Sequence, residues 1–228
     1  MGAGVAMKRV LALMALLALA GCGQDAANSP YAAAFEQIRG GLFNRGDAPS
    51  QFTATRASLA EAGITAPVLV VRMPDAGISV GLLEYGTNRD VTIWRSLDGN
   101  TVSTAAGLLR NTRGFGTDLH SLETEALHRA LSQGQPAEYS RLFRALDGEG
   151  QLHAIRLYCS LTPEGSETVD ILGRSYATRR FSETCHADGR DTPVFVNTYW
   201  QGSDGDLWQS RQWAGPELGY ANLERVIN

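Results

Sequence analysis

Short apolar runs alternate with turn residues over most of this chain. Residues 68–73 (VLVVRM) form a β-branched run closed by Pro74, and residues 78–85 and 91–96 continue in extended texture. Asp98-Gly99 then predicts a hairpin, because a type I′ turn requires positive φ. Residues 101–105 read as the returning strand. The pattern recurs with residues 137–145 and 151–159 around Asp147-Gly148, 168–172 and 175–183 around Gly173, and 194–200 and 207–213 around Asp204-Gly205.

Helical spacing is confined to short stretches. Tyr31, Phe35, Ile38 and Leu42 share one face of a helix predicted over 31–43. Residues 53–62 suggest a second helix, stopped by Gly63 and Pro67. Residues 122–132 suggest a third, with Leu122, Ala126 and Leu127 inward and Asp118 or Ser121 as its cap. Residues 221–226 read as a final helical turn. The expected fold is mainly β: an antiparallel meander of about nine to eleven strands, with a few short helices. Tight sequential turns favour a large curved sheet, a half-barrel or a barrel, with a sandwich as the competing arrangement.

The amino terminus follows a different logic. Lys8 and Arg9 precede a 12-residue apolar run from Val10 to Gly21, and polar residues follow at once. A spanning helix needs roughly 20 apolar residues, so this segment reads as a secretory signal peptide. Its end, Leu19-Ala20-Gly21-Cys22, resembles the bacterial lipobox. The resemblance implies lipid attachment to Cys22, cleavage before it, and acylation of the new terminus. Several acyl chains make a stable tether where one holds only marginally. Gly23, rather than Asp, follows Cys22; by the sorting rule of enterobacterial lipoproteins this favours the outer membrane. The expected organisation is a cleaved signal (1–21), a lipidated flexible stem (22–30) and one β-rich periplasmic domain (31–228).

Charge and composition narrow the function by exclusion. Removing 21 of 228 residues leaves 207, enough for one domain with an ample core. The mature part carries 18 basic residues, all Arg, against 24 acidic, a formal charge of −6. The charges are interspersed, and no basic surface for nucleic acid is predicted. Cys159 and Cys185 remain outside the cytoplasm and read first as a disulfide, worth roughly 3.5 kcal/mol on the chain-entropy model. Two buried free thiols are the competing reading. His186 adjoins Cys185, but no Cys-x-x-Cys or His-Glu-x-x-His spacing supports a metal.

Two dense blocks resemble a known family. Residues 91–119 (VTIWRSLDGNTVSTAAGLLRNTRGFGTDL) and 205–216 (GDLWQSRQWAGP) are similar to the YjbF/GfcB lipoproteins of group 4 capsule and exopolysaccharide loci. The resemblance implies an outer-membrane lipoprotein of largely antiparallel β-fold, with a role in polysaccharide secretion or assembly. It implies no catalytic residue and no cofactor, and its partners would be the membrane and export proteins of the same locus.

Read on their own, the candidate constellations are weak. Asp118, His120 and Ser121 suggest a hydrolase only by adjacency, and no Gly-x-Ser-x-Gly elbow is present. Strand alternation puts Gln209, Arg211 and Trp213 on one face, where an indole and polar groups could hold a sugar. Core packing is the competing role for such rings. The main expectation is a non-enzymatic accessory lipoprotein. The alternatives are a lipid or acyl carrier, which needs an apolar cavity, and a glycan-active enzyme, which needs a cleft with paired carboxylates.

Overall fold

The computed structural model describes residues 52–146 and 151–226. The predicted 31–43 helix and Cys22 lie outside them. Twelve strands follow in chain order: β1 (Val68–Met73), β2 (Ile78–Asn88), β3 (Val91–Arg95), β4 (Thr101–Ala105), β5 (Leu108–Arg113), β6 (Leu119–Leu122), β7 (Ala137–Leu146), β8 (Leu152–Ile171), β9 (Arg174–Ala187), β10 (Phe195–Gln201), β11 (Leu207–Gly215) and β12 (Gly219–Val226). Helix α1 (Arg56–Glu61) precedes β1, and α2 (Glu125–Gln133) joins β6 to β7. All twelve strands lie in one sheet, ordered β5-β4-β3-β2-β1-β12-β11-β10-β9-β8-β7-β6. The sheet curls into a nearly closed barrel, which sets aside the sandwich.

Every step is antiparallel and joins strands consecutive in the chain except β1–β12, where the first and last strands pair (Val68 with Val226, Arg72 with Asn222). The seam falls between β5 and β6, and side chains close it. Thr112 Oγ1 donates to Asp118 Oδ1 at 2.8 Å, the Leu119 N–H donates to Thr112 Oγ1 at 3.0 Å, and Arg113 Nη1 reaches the Leu119 carbonyl at 3.0 Å. From β11, Gln212 serves the free edge of β5. Its Oε1 accepts from the Leu109 N–H (3.0 Å) and its Nε2 donates to the Gly107 carbonyl (3.2 Å). Those backbone groups would otherwise be buried unpaired.

Alternating burial aims one side chain in two into the lumen. At one end lie Met73, Leu82, Trp94, Phe143, Phe195 and their neighbours. At the other, Leu127, Ala130 and Leu131 of α2 pack on Leu108, Phe181, Tyr199 and Leu207. A third cluster lies elsewhere: Phe52 and Leu59 of the α1 segment meet Val68, Val70 and Leu83, together with Val169 and Ile171 from the far part of β8. Arg56 Nη2 ties that hairpin down through the Ile171 carbonyl and Tyr176 Oη, both at 3.0 Å.

Several sequence expectations need correction. Strand β12 replaces what read as a helical turn over 221–226, and β5 and β6 are strands that the apolar pattern did not mark. The β4–β5 turn, Ala106-Gly107, has φ of 49° and 79°, a mirror-type turn without the Asn or Asp that usually announces one. Segments 151–159 and 168–172 are one 20-residue strand, β8, whose ladder slips at Pro163/Gly165 instead of ending. Helix α1 is shorter than 53–62, because Thr55 caps it in a box with Ser58. Helix α2 starts at Glu125, so Leu122 is buried from β6, and neither Asp118 nor Ser121 caps it; Thr124 holds the N-cap position without a capping bond, its Oγ1 accepting from Arg110 Nη1 instead.

Candidate functional site

Three strands, β7, β9 and β10, carry a polar residue where alternation calls for an apolar one. Arg141 stands between Tyr139 and Phe143 on β7, Glu183 between Phe181 and Cys185 on β9, and Asn197 between Phe195 and Tyr199 on β10. Arg141, Glu183 and Asn197 are all buried. Glu183 Oε1 accepts from Tyr139 Oη and Arg141 Nη1, each at 2.8 Å. Its Oε2 accepts from Arg141 Nη1 (3.0 Å), Asn197 Nδ2 (2.9 Å) and Tyr199 Oη (2.7 Å). Arg141 Nε donates to the Glu123 carbonyl at 2.9 Å, and Asn197 Oδ1 accepts from the Trp213 N–H at 2.7 Å.

A carboxylate buried alone would be neutralised by protonation; this one is compensated from every side. Burial pushes the Glu183 carboxyl up, but the Arg141 charge and the bonds from Tyr199, Arg141 and Tyr139 outweigh it and hold it below the usual range. Burial and then the Glu183 charge raise both Tyr139 and Tyr199, so the phenols stay protonated as donors. The Glu183 charge likewise keeps Arg141 protonated against its burial. The network ties β7, β9 and β10 together, with Tyr139 half-buried at its margin and Arg141 Nη2 buried without a hydrogen-bond partner. A polar residue flanked at ±2 by inward apolar ones was its signal in the sequence.

Cys159 and Cys185 face each other on β8 and β9 and are joined, with S–S 1.98 Å and Cα–Cα 4.1 Å. Glu183 and both sulfurs offer atoms within 4.8 Å of one another. The bonded sulfurs present no thiolate, so the trio is not a metal site.

The β11 residues have separate engagements. The Trp213 ring lies 4.8 Å from Phe143 and 5.1 Å from Phe195, packed with the interior cluster, beside a register slip at Trp213/Gly215. The Arg211 guanidinium sits 3.2 Å above Tyr220 and donates to the Val196 carbonyl at 3.3 Å. Gln209 pairs with Trp200 on β10 and Glu224 on β12. Asp118 is a turn clamp, accepting from Thr112 Oγ1, the Gly114 N–H (2.8 Å) and the Phe115 N–H (3.3 Å). Ser121 Oγ accepts from Arg144 Nη1 at 3.5 Å.

One cavity of about 170 Å³ opens at the barrel mouth by the β4–β5 turn, lined by Trp94, Leu69 and Leu223 together with Glu84, Asp206 and Arg225.

A family model described as group 4 capsule polysaccharide lipoprotein gfcB, YjbF matches residues 33–226. No significant match emerged among curated proteins. Among solved structures, the chain is similar in fold to the hypothetical lipoprotein YmcC from Escherichia coli K12. The TM-score is 0.63 at 18% identity, covering 76% of this chain and 93% of that one.

Proposed function

The chain belongs to the YjbF family of group 4 capsule polysaccharide lipoproteins, and from that membership we propose that it is a non-enzymatic accessory lipoprotein of capsule or exopolysaccharide secretion. In this reading a lipid on Cys22 holds it at the outer membrane, facing the periplasm, beside export proteins of the same locus. The family match over nearly the whole domain is the observation that carries it. The packed interior supports it against a carrier: an acyl chain needs a long apolar tunnel, whereas most of this lumen is filled by side chains and it carries the buried charge pair Arg141–Glu183. The reading is tested by deleting the gene and assaying surface polysaccharide. Loss of polymer, restored by the wild type and not by Cys22→Ala, is the expected result. Unchanged polymer in the deletion strain overturns it.

A further inference from the structure

We propose that the cavity at the barrel mouth is a subsite for one uncharged sugar residue at a chain end or side branch of the polymer. This rests on the functional reading above. The cavity has a volume of about 170 Å³, equal to five or six waters at ~30 Å³ each. That accommodates a single ring, and neither a threaded polymer nor an acyl tail.

Its chemistry is divided as a sugar's is. Leu69, Leu207, Leu223 and the buried Trp94 give an apolar floor. The Trp94 indole is fixed there by its N–H bond to Thr104 Oγ1 at 2.9 Å. Around it stand Thr92, Glu84, Asp206 and Arg225. Strand pairing sets this ring of groups, since Trp94 lies opposite Glu84 on β2 and Leu69 opposite Arg225 on β12. Asp206 and Arg225 form an ion pair and remain partly exposed, at 48% and 31%, so both can exchange water for hydroxyl groups. A pyranose has the complementary form, an apolar C–H face bordered by hydroxyls. Charge selects among sugars. Two carboxylates stand against one guanidinium, which is already paired, so a uronate or phosphate would meet a net negative site.

The test is titration of the purified soluble domain with methyl glucoside, galactose, N-acetylglucosamine and glucuronate, read by the ¹⁵N indole signals of its four tryptophans. A saturable, millimolar shift of the Trp94 signal is expected with at least one uncharged sugar and not with glucuronate. Glu84→Gln and Thr92→Val should each weaken it about tenfold or less, the scale of one lost hydrogen bond. Trp213→Phe, outside the cavity, should leave it unchanged. No saturable Trp94 shift with any uncharged sugar, equal binding of glucuronate, or indifference to both cavity variants overturns the subsite. A missing shift does so even if the deletion strain loses its polymer. Unchanged polymer in that strain overturns the functional reading even if the shift saturates.

Discussion

Glu183 and Arg141 show how an interior charge pair can be indispensable without being a source of net stability. Each has lost its water, so removing one partner strands the other. Arg141→Met should therefore destabilise the domain by about 3–5 kcal/mol in a denaturant titration. The double change Arg141→Met with Glu183→Leu should recover most of that loss, since apolar pairs often replace buried ion pairs at little cost. A double variant no more stable than the single one would mean that the surrounding Tyr139, Asn197 and Tyr199 donors matter more than the charges. Acid provides a second measurement. An unfolded Glu titrates near ~4.3, and the folded Glu183 carboxyl lies below its ordinary value. Below pH ~4.3 the unfolded chain thus binds a proton that the native state refuses, and stability falls as pH falls through that window. Thermal melts of the wild type should show this acid limb, and Glu183→Gln should flatten it. The site was partly legible in the sequence, because each polar member interrupts an inward apolar series. Their convergence was not, since it depends on the registers Tyr139–Cys159–Cys185–Phe195 and Asn197–Glu183 across separate hairpins.

At the scale of elements, closure of the barrel rests on a few side chains standing in for a ladder. Gln212→Leu removes the partners of the Leu109 N–H and the Gly107 carbonyl while keeping a similar volume. A stranded buried polar group costs about 1–3 kcal/mol. The variant should lose that much stability, and hydrogen exchange should quicken first at Leu109; exchange quickening uniformly along the sheet would deny Gln212 a local role. Docking of α1 depends on Gly81, where a Cβ would lie 2.4 Å from the Phe52 ring. Gly81→Ala should cost about 1–3 kcal/mol through overpacking, and Phe52→Ala in the same chain should relieve the clash. Hairpins form at Asp98-Gly99 and Asp204-Gly205 as expected, but only the glycines hold a positive φ, 88° at each, so neither turn is the type I′ expected. The β4–β5 turn was hidden, because Ala106 holds a positive φ without an Asn or Asp signal. β12 escaped because only its pairing with β1 and β11, from opposite ends of the chain, makes it a strand. The 20-residue β8 escaped because Pro163 and Gly165, ordinary strand breakers, sit at a slip of the ladder.

On the scale of the whole molecule, the first and last strands pair at the centre of the sheet, so the part of the chain preceding Phe52 leads directly to the middle strands of the barrel. Whatever holds the amino terminus therefore positions the entire domain. From Cys22, the thirty residues to Phe52 span at most about 100 Å at ~3.3 Å each. A lipid at Cys22 would confine the domain near the bilayer and raise its effective concentration toward a partner there, with no new contact. This separates the roles of anchor and domain. Cys22→Ala in the native host should move the protein from the membrane fraction to the soluble periplasmic fraction while its thermal stability stays unchanged, because Cys22 precedes Phe52, the first described residue of the domain, by thirty positions. At native expression the variant should fail to restore polymer export; strong overexpression should restore part of it, since a higher bulk concentration substitutes for tethering by mass action. Full restoration at native expression would show that the domain acts without being held, and failure at any expression level would make the lipid a contact in its own right.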